Sequence, residues 1–314
     1  MDEHSAWQRL LQDMFPGIIV TAAEGLRDWS QSQVIRLTAR RDGTALRLFA
    51  KRDRSAGDRE AAVCRAAARM RGFPAPRAGF VTGPDGAEWL VIGEARGTRL
   101  CDLPATDWVT ACRALAAFHE QAAAENWAAG IAGLPALADR LPGLPWPVLD
   151  ATRRCADVGQ YTGIDQAALA GVADRLGESW PRIAAEIAGF PQTLVHGDSH
   201  SGNLFLDPGG SIELIDWAGA EVGPGLCDLI GLFDTAARMR EHCPEAAALA
   251  AYRERLGPRS REQYGDFSRA CDCLRVLRGL TELEWFAASG DDYGERANCE
   301  FEKIAASLDR LQQP

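Results

Sequence analysis

Two short polar motifs, separated by a hairpin-like segment, constrain this chain more than any other part of its sequence. The first motif runs from His196 to Asn203 and reads His-Gly-Asp-Ser-His-Ser-Gly-Asn, and the second is an Ile-Asp-Trp triplet centred on Asp216. Short apolar runs between them flank an Asp-Pro-Gly-Gly turn at 207–210. This pattern predicts a β-hairpin, whose neighbouring strands lie about 4.8 Å apart. Asn203 and Asp216 are therefore expected side by side at its open end, with Asp198 in the preceding loop.

Two acids and an amide in this arrangement are the groups that phosphoryl transfer from Mg²⁺-ATP requires. In this interpretation Asp198 accepts a hydrogen bond from the acceptor hydroxyl, while Asn203 and Asp216 hold Mg²⁺ against the phosphates. A metallohydrolase is an alternative, because the His-x-Asp-x-His pattern that begins at His196 has metal-ligand spacing. Two-metal sites usually need several more ligands, and the other three histidines are scattered. A hairpin with incidental acids is the third alternative.

In order and spacing the motifs resemble those of the aminoglycoside phosphotransferase and choline kinase family. The family pattern is His-Gly-Asp, four residues, Asn, and later Ile-Asp-Trp or Ile-Asp-Phe. Segment 223–229, Gly-Pro-Gly-Leu-Cys-Asp-Leu, is similar to a further family segment that ends in Asp-Leu, whereas Ser201 stands where Pro is frequent. The resemblance implies an α+β, bilobal protein-kinase-like fold, with a small β-rich N-terminal lobe and a larger, mainly helical C-terminal lobe. It also implies ATP or GTP and Mg²⁺ as cofactors.

Lysine usage indicates a further candidate independently of these motifs. Only Lys51 and Lys303 are lysines among 34 basic residues, so a retained lysine suggests a specific need for an ammonium group. Lys51 ends the strand-like run 46–50, where a kinase places the lysine that binds phosphate oxygens. A helix is expected over 55–71, and Glu60 is the acid within it that would pair with Lys51.

Other parts of the nucleotide site are carried by weaker patterns. The loop over the phosphates is expected within 26–33, where Ser30 and Ser32 offer polar groups although the Gly-x-Gly-x-x-Gly pattern is absent. Residues 1–93 are expected to form the nucleotide-binding lobe, 94–97 the hinge and 98–314 the helical lobe. Ile92 and Glu94 are placed beside the adenine. Asp228 and His196 are expected to support the catalytic loop.

Composition limits the class of protein. The length of 314 residues, with 46% apolar and 25% charged residues, predicts two soluble domains. No apolar stretch approaches a membrane span, the first residues are too acidic for a signal peptide, and nine cysteines without a Cys-x-x-Cys motif predict reduced thiols in the cytoplasm. The net charge of −10 argues against a nucleic-acid partner. A monomer or homodimer is expected.

The acceptor is expected to be a small-molecule alcohol that binds to the helical lobe. The family resemblance implies a cationic alcohol met by acidic or aromatic groups of the helical lobe, and the last third of the chain offers such groups: Glu282, Glu284, Trp285, Asp291 and Asp292. With the family resemblance, these residues favour an aminoglycoside or another antibiotic. A choline, homoserine or sugar kinase is the alternative, and a nucleotide-binding pseudokinase scaffold is a further one.

Overall fold

The computed structural model describes residues 3–28, 32–53, 59–83 and 86–313. The N-terminal part is an antiparallel sheet with the strand order β1-β2-β3-β5-β4. The strands are β1 (Ile19–Asp28), β2 (Ser32–Arg41), β3 (Thr44–Asp53), β4 (Ala78–Thr82) and β5 (Glu88–Gly93), and the helices are α1 (Glu3–Met14) and α2 (Arg59–Ala67).

Local sequence explains the β2–β3 hairpin at the centre of this sheet. Asp42 and Gly43 form its two-residue turn with φ values of 50° and 79°, the left-handed conformation that an Asp-Gly turn adopts. Helix α1 covers one face of the sheet, where Trp7 meets the edge of Trp89 at 5.3 Å between ring centroids. Helix α2 covers the other face, where Cys64 packs against β5.

The C-terminal part is mainly helical. Its helices are α3 (Ala105–Ala124), α4 (Leu137–Arg140), α5 (Pro145–Asp157), α6 (Gln166–Gly189), α7 (Leu226–Met239), α8 (Glu245–Arg255), α9 (Pro258–Tyr264), α10 (Phe267–Ser289) and α11 (Gly294–Gln312). Its strands are β6 (Thr98–Arg99), β7 (Gln192–Val195), β8 (Leu204–Leu206), β9 (Ile212–Leu214) and β10 (Glu221–Pro224). Helix α10 is central, because its apolar side chains are buried against α5, α6, α7 and α11.

The hairpin predicted between the two motifs is present. Strands β8 and β9 pair antiparallel with Leu204 opposite Leu214. Asp207 closes the turn, because its backbone N–H donates to Ser211 O at 2.9 Å and its carboxylate accepts from Ser211 N at 2.9 Å. Gly210, at φ 81°, supplies the left-handed residue that the turn requires. The two motifs therefore meet at the open end of the hairpin.

An antiparallel sheet followed by a helical part confirms the predicted α+β, kinase-like fold class. The chain passes from β5 to β6 through 94–97, and the predicted lobe boundaries there remain a prediction. Helix α2 lies within the helix expected over 55–71 but ends at Ala67, and its predicted start at 55–58 lies outside the described residues. In the part of the chain that the structure describes, none of the helices combines the length and apolar character that crossing a bilayer would need.

The segment that joins the two parts is held by close backbone contacts. Gly97 has a φ of 94°, and a Cβ atom at this position would lie 2.3 Å from the carbonyl oxygen of Leu206 in β8. The Glu213 carboxylate accepts from the backbone N–H of Arg96 at 2.8 Å and also from its guanidinium group. The approach of the segment to the hairpin therefore requires glycine.

We predict that Gly97→Ala destabilises the protein more than Gly133→Ala. Both glycines have positive φ, so both alanines cost about 1–2 kcal/mol in backbone conformation. Only the Gly97 variant also clashes with backbone, since Gly133 has no atom within 4 Å of a built Cβ. In urea unfolding, the free energy of unfolding of Gly97→Ala should be at least about 2 kcal/mol lower than that of Gly133→Ala. An equal loss of unfolding free energy in the two variants would show that the close approach of Gly97 to Leu206 does not require glycine.

Candidate active site

Lys51 connects the sheet, helix α2 and the hairpin. Its Nζ lies 2.6 Å from Oε2 of Glu60 and 3.0 Å from Oδ1 of Asp216. Burial would lower the pKa of Lys51, but the charges of the two carboxylates and their hydrogen bonds outweigh it and raise the pKa above the ordinary value. The ammonium group is therefore charged at neutral pH, as the prediction from lysine usage required.

Asp216 ends the hairpin in a left-handed conformation. Its φ and ψ are 68° and 62°, a region that Asp tolerates better than most residues, and a short 3₁₀ turn follows at Trp217–Gly219. Burial would raise the pKa of Asp216, but Lys51, with smaller contributions from His196 and Arg27, lowers it. The second carboxylate oxygen of this ionised side chain is not engaged by Lys51.

Asn203 and Asp198 contact each other on the other side of the hairpin end. The Asn203 Nδ2 group donates to the backbone oxygen of Asp198 at 3.1 Å and to its carboxylate at 3.3 Å. These bonds fix which end of the amide faces Asp198, so Oδ1 of Asn203 faces away from it. The backbone oxygen of Asn203 accepts from Ile215 N at 3.0 Å, which holds Asn203 beside the Asp216 segment.

The carboxylate of Asp198 opens onto a cleft. The protein around it reduces its hydration and raises the pKa of Asp198 above the ordinary value, and the charge of Asp216 adds to this. His200 and His196 act in the opposite direction. A carboxylate with a raised pKa is a better proton acceptor, which is the property a general base needs.

The loop that carries Asp198 is held by the buried carboxylate of Asp228. Its two oxygens accept from the backbone N–H groups of His196, at 2.8 Å, and Gly197, at 2.9 Å. Ser199 Oγ donates to the backbone oxygen of Asp228 at 2.6 Å. Burial would raise the pKa of Asp228, but its hydrogen bonds and the nearby histidines hold the pKa below its ordinary value. The carboxylate is thus ionised, and it fixes the loop through the backbone.

Steric crowding requires glycine at the middle position of the His-Gly-Asp motif. Gly197 has a φ of 78°, and a built Cβ atom would lie 2.0 Å from the carbonyl oxygen of Gly219. The loop that carries Asp198 therefore passes directly against the 3₁₀ turn that follows Asp216. Any larger side chain at 197 would push these two segments apart.

His196 and His119 are both buried and both serve this loop. His196 Nε2 donates to the backbone oxygen of Ile215 at 2.9 Å, and burial lowers the pKa of His196, so the ring is neutral. His119, from α3, contacts Asp228 Oδ2 through Nε2 at 3.1 Å and the hydroxyl of Tyr252 through Nδ1 at 2.8 Å. Sequence reasoning missed the link from His119 to Asp228, because the two residues lie far apart in the chain.

Asn203 and Asp216 offer the oxygen atoms that Mg²⁺ prefers. One amide oxygen and one carboxylate oxygen, on adjacent chain segments, form the small donor set that Mg²⁺ uses when water and phosphate supply its remaining ligands. The orientation of the Asn203 amide fits this role, because its NH₂ group is used by Asp198. Elsewhere in the described ranges, no group of three or more His, Cys, Asp or Glu residues has metal-binding geometry.

Sequence comparison decides the family. A model of the phosphotransferase enzyme family matches residues 22–264, which is more than half of the chain. The chain belongs to this family. The family resemblance predicted from the two motifs is thereby confirmed, and the chain is a small-molecule phosphotransferase. Among curated protein sequences, no significant match was found.

Solved structures share the fold of this phosphotransferase at low sequence identity. A thermostable mutant of the aminoglycoside phosphotransferase APH(4)-Ia, in complex with ADP and hygromycin B, is 17% identical with a TM-score of 0.60, covering 98% of this chain and 99% of that chain. Choline kinase from Cryptosporidium parvum Iowa II is 14% identical with a TM-score of 0.67, covering 98% and 96%. Macrolide 2′-phosphotransferase MphH from Brachybacterium faecium is 19% identical with a TM-score of 0.55, covering 99% and 98%.

The residues predicted to bind the nucleotide base and phosphates lie around the sheet. Ser32 begins β2 opposite Asp53, and Ser30 lies outside the described residues. Ile92 is buried in β5, and the backbone N–H of Glu94 donates to Arg47 O at 3.1 Å. Their contacts with a nucleotide remain predictions.

The cleft beside Asp198 has a volume of about 900 Å³ and reaches between α7, α10 and α11. Of the residues predicted for acceptor binding, Glu282 and Trp285 line it. Glu284 lies outside its lining and pairs with Arg140 at 3.2 Å. Asp291 and Asp292 also lie outside, and Asp292 accepts from Thr162 N at 3.0 Å in a surface loop.

Sequence reasoning missed the arginines of the cleft. Its lining contains five of them, Arg59, Arg140, Arg238, Arg278 and Arg296. The i, i+4 spacing of Arg278 and Glu282 is a signal that could have indicated a paired acid in the helix.

We predict that Asp228→Ala lowers the free energy of unfolding by about 3 kcal/mol at pH 7, because two buried backbone N–H groups lose their acceptor. The exposed helical residue Asp174 provides the control, and Asp174→Ala should change little. The folded-state pKa of Asp228 is lowered, so its stabilisation is present above the ordinary value of 3.8 and is lost as the pH falls through the folded-state pKa. The difference between wild type and variant in urea unfolding should therefore shrink below about pH 4. A difference that stays constant to pH 2 would contradict this role.

Proposed function

We propose that this phosphotransferase transfers the γ-phosphoryl group of ATP to a hydroxyl group of a small molecule, with Mg²⁺ as its cofactor. The observation that carries the proposal is the assembly of Lys51, Glu60 and Asp216 within 3.0 Å contacts, next to the hydrogen-bonded pair Asp198 and Asn203. These residues come from a strand, a helix and two loops that are far apart in sequence. A scaffold that only bound nucleotide would not need Asp198 directed into an open cleft.

Asp198 acts on the acceptor in this proposal. Its carboxylate accepts the hydrogen bond of the hydroxyl group, orients the oxygen towards the γ-phosphorus, and takes the proton as the new O–P bond forms. The bond from the γ-phosphorus to the bridging oxygen breaks, so ADP leaves together with the phosphorylated alcohol. The contact with Asn203 holds the carboxylate in place during this step.

Lys51 and the hairpin end act on the nucleotide. The Lys51 ammonium group binds phosphate oxygens, and Glu60 keeps it in position. Bound at Asn203 and Asp216, Mg²⁺ would supply charge neutralisation at the β- and γ-phosphates. The positive charge next to Asp216 keeps that carboxylate ionised and ready to bind the metal.

The segment after β5 supports binding of the adenine base. The backbone N–H groups of Gly93 and Glu94 already donate to Arg77 O and Arg47 O. For the N–H of Ala95 we find no such partner in the described ranges. We propose that Ala95, beside the predicted residues Ile92 and Glu94, offers the N–H that binds the base.

Two of the three structural neighbours named above act on antibiotics and the third is a choline kinase. Antibiotic hydroxyl groups are therefore the first acceptors to test, followed by choline, homoserine and sugars. The experiment is transfer of ³²P from [γ-³²P]ATP to each compound, with the product identified by mass spectrometry. A phosphorylated acceptor supports the proposal. Tight binding of Mg²⁺-ATP without transfer to any acceptor would favour a nucleotide-binding scaffold.

We predict that Asp198→Asn lowers kcat by about 10²–10⁴-fold, because the amide cannot take the proton of the hydroxyl group. Asp174→Asn, on the exposed face of α6, is the matched control and should retain full turnover. Since the pKa of Asp198 is raised above 3.8, the acid side of the wild-type pH–rate profile should inflect above this value. Wild-type kcat in the Asp198 variant would exclude a role as general base.

We predict that Lys51→Met weakens ATP use, measured as a decrease in kcat/KM for ATP of about 10²-fold or more. Removing the ammonium group also removes the main cause of the lowered pKa of Asp216, so that pKa should rise. NMR titration of the Asp216 side chain measures this second effect independently of turnover. Lys303→Met, far from the nucleotide and paired with Asp234, is the control. An unchanged kcat/KM in the Lys51 variant would contradict the proposed site.

A further inference from the structure

The charge of the cleft next to Asp198 differs from the charge of the chain as a whole. The protein has a net charge of −10, yet the cleft lining contains five arginines. Apart from Asp198 and the loop-supporting Asp228, its carboxylates are Glu221 and Glu282. Positive side chains are therefore concentrated where the acceptor would bind.

The two carboxylates are already neutralised by arginines. Glu282 is buried and accepts from Arg238 Nη1 at 2.8 Å and from the guanidinium group of Arg278. Glu221 lies 3.5 Å from Arg140, and burial raises the pKa of Glu221 despite that neighbour. Neither carboxylate is available to bind a cationic acceptor without losing an ion pair.

Two guanidinium groups of the lining, in contrast, form no ion pair in the part of the chain that the structure describes. Arg296 of α11 is exposed and lies over the Tyr293 ring at 5.3 Å, and Arg59 begins α2 at the opposite rim. Neither forms an ion pair within 4 Å among the residues that the structure describes, although the charge of Arg59 acts on Glu221 at longer range. Arg278, in contrast, is engaged by two carboxylates, because its Nε atom lies 3.9 Å from Asp234 Oδ2 and its Nη2 atom pairs with Glu282.

Guanidinium groups bind carboxylates and phosphates through paired hydrogen bonds, and they are more weakly hydrated than ammonium groups. Arg296 belongs to α11 in the helical part, whereas Lys51 belongs to β3 in the sheet. The unpaired charge of Arg296 is thus on the part of the protein where the acceptor is expected to bind. Trp285, half exposed in the same lining, offers an apolar face for the carbon skeleton.

We infer that the acceptor is a hydroxyl compound that carries an anionic group, a carboxylate or a phosphate, which Arg296 and its neighbours bind while Asp198 receives the hydroxyl group. This inference rests on the proposed function and narrows it. A polycationic aminoglycoside would meet unpaired arginines and carboxylates that are already engaged. The acidic residues that the sequence indicated for a cationic acceptor, Glu282 and Glu284, serve in the structure to hold arginines.

The first experiment measures binding with charge probes, independently of the natural acceptor. The full chain, in the presence of Mg²⁺ and AMP-PNP, is titrated with each of two probes in an isothermal titration calorimeter. One probe is tricarballylate, which has three carboxylates and no hydroxyl group, and the other is spermidine, its triamine counterpart. Tricarballylate should bind and spermidine should not compete with it. The double variant Arg59→Gln with Arg296→Gln should weaken tricarballylate binding about tenfold or more. Arg261→Gln, on the exposed face of α9, should bind it as wild type does.

Absence of tricarballylate binding, or equal binding in the double variant and wild type, would overturn the inference. Circular dichroism of the double variant checks that it is folded, and a single Arg296→Gln variant replaces it where it is not. An intermediate loss of affinity in that single variant supports the inference, and an unchanged affinity overturns it.

The second experiment measures transfer from [γ-³²P]ATP to acceptors matched in skeleton. D-glucosamine, D-glucose, D-glucuronate and D-glucose 6-phosphate differ mainly in charge, and hygromycin B and choline represent cationic acceptors. A kcat/KM that is higher for D-glucuronate than for D-glucose and D-glucosamine identifies a carboxylate as the recognised group. A kcat/KM that is higher for D-glucose 6-phosphate identifies a phosphate. Preferred transfer to hygromycin B or choline overturns the inference and leaves the proposed function intact. Failure of transfer with every compound counts against the proposed function, whereas the binding experiment alone still decides the charge preference of the cleft.

Discussion

The ion pairs of Lys51 are the interaction on which the proposed nucleotide site depends. A single ammonium group on β3 pairs with both Glu60 on α2 and Asp216 at the hairpin end, so three elements meet at one positive charge. The carboxylates would repel each other without it, and burial would raise the pKa of Asp216. The pairing holds Asp216 ionised and fixes α2 against the helical part. The ion pairs of Lys51 therefore both position the side chains of the site and connect the sheet to the helical part.

Asp228 plays the corresponding role for the loop that carries Asp198. Its buried carboxylate binds backbone N–H groups and not the reacting side chain, so it sets the course of the chain and leaves Asp198 free to face the cleft. His119 and Tyr252 extend this support into α3 and α8. The pKa of Asp198 is thus raised, because its carboxylate faces few hydrogen-bond donors, whereas the pKa of Asp228 is lowered, because donors surround its carboxylate.

The predicted elements succeeded where the signals were local. The Asp-Pro-Gly-Gly turn and its flanking apolar runs specify the hairpin within a dozen residues, because turn geometry and side-chain alternation act between near neighbours. Lys51 could be recognised from the scarcity of lysine. The acidic residues of the last third were predicted less well. Composition indicated Glu282 for binding the acceptor, but in the structure Glu282 pairs with Arg238 and Arg278. Local spacing could have indicated the pair with Arg278, but not the pair with Arg238.

Local sequence was thus sufficient for the hairpin, for the fold class and for the family, and it indicated the acid, amide and lysine that the structure brings together. The tertiary structure alone decided the charge of the cleft beside Asp198. Its arginines come from α2, α4, α7, α10 and α11, and whether each faces a carboxylate or the open cleft depends on how these helices pack. A net charge sums over the whole chain, whereas a ligand experiences only the unpaired charges that packing brings within a few ångströms of it.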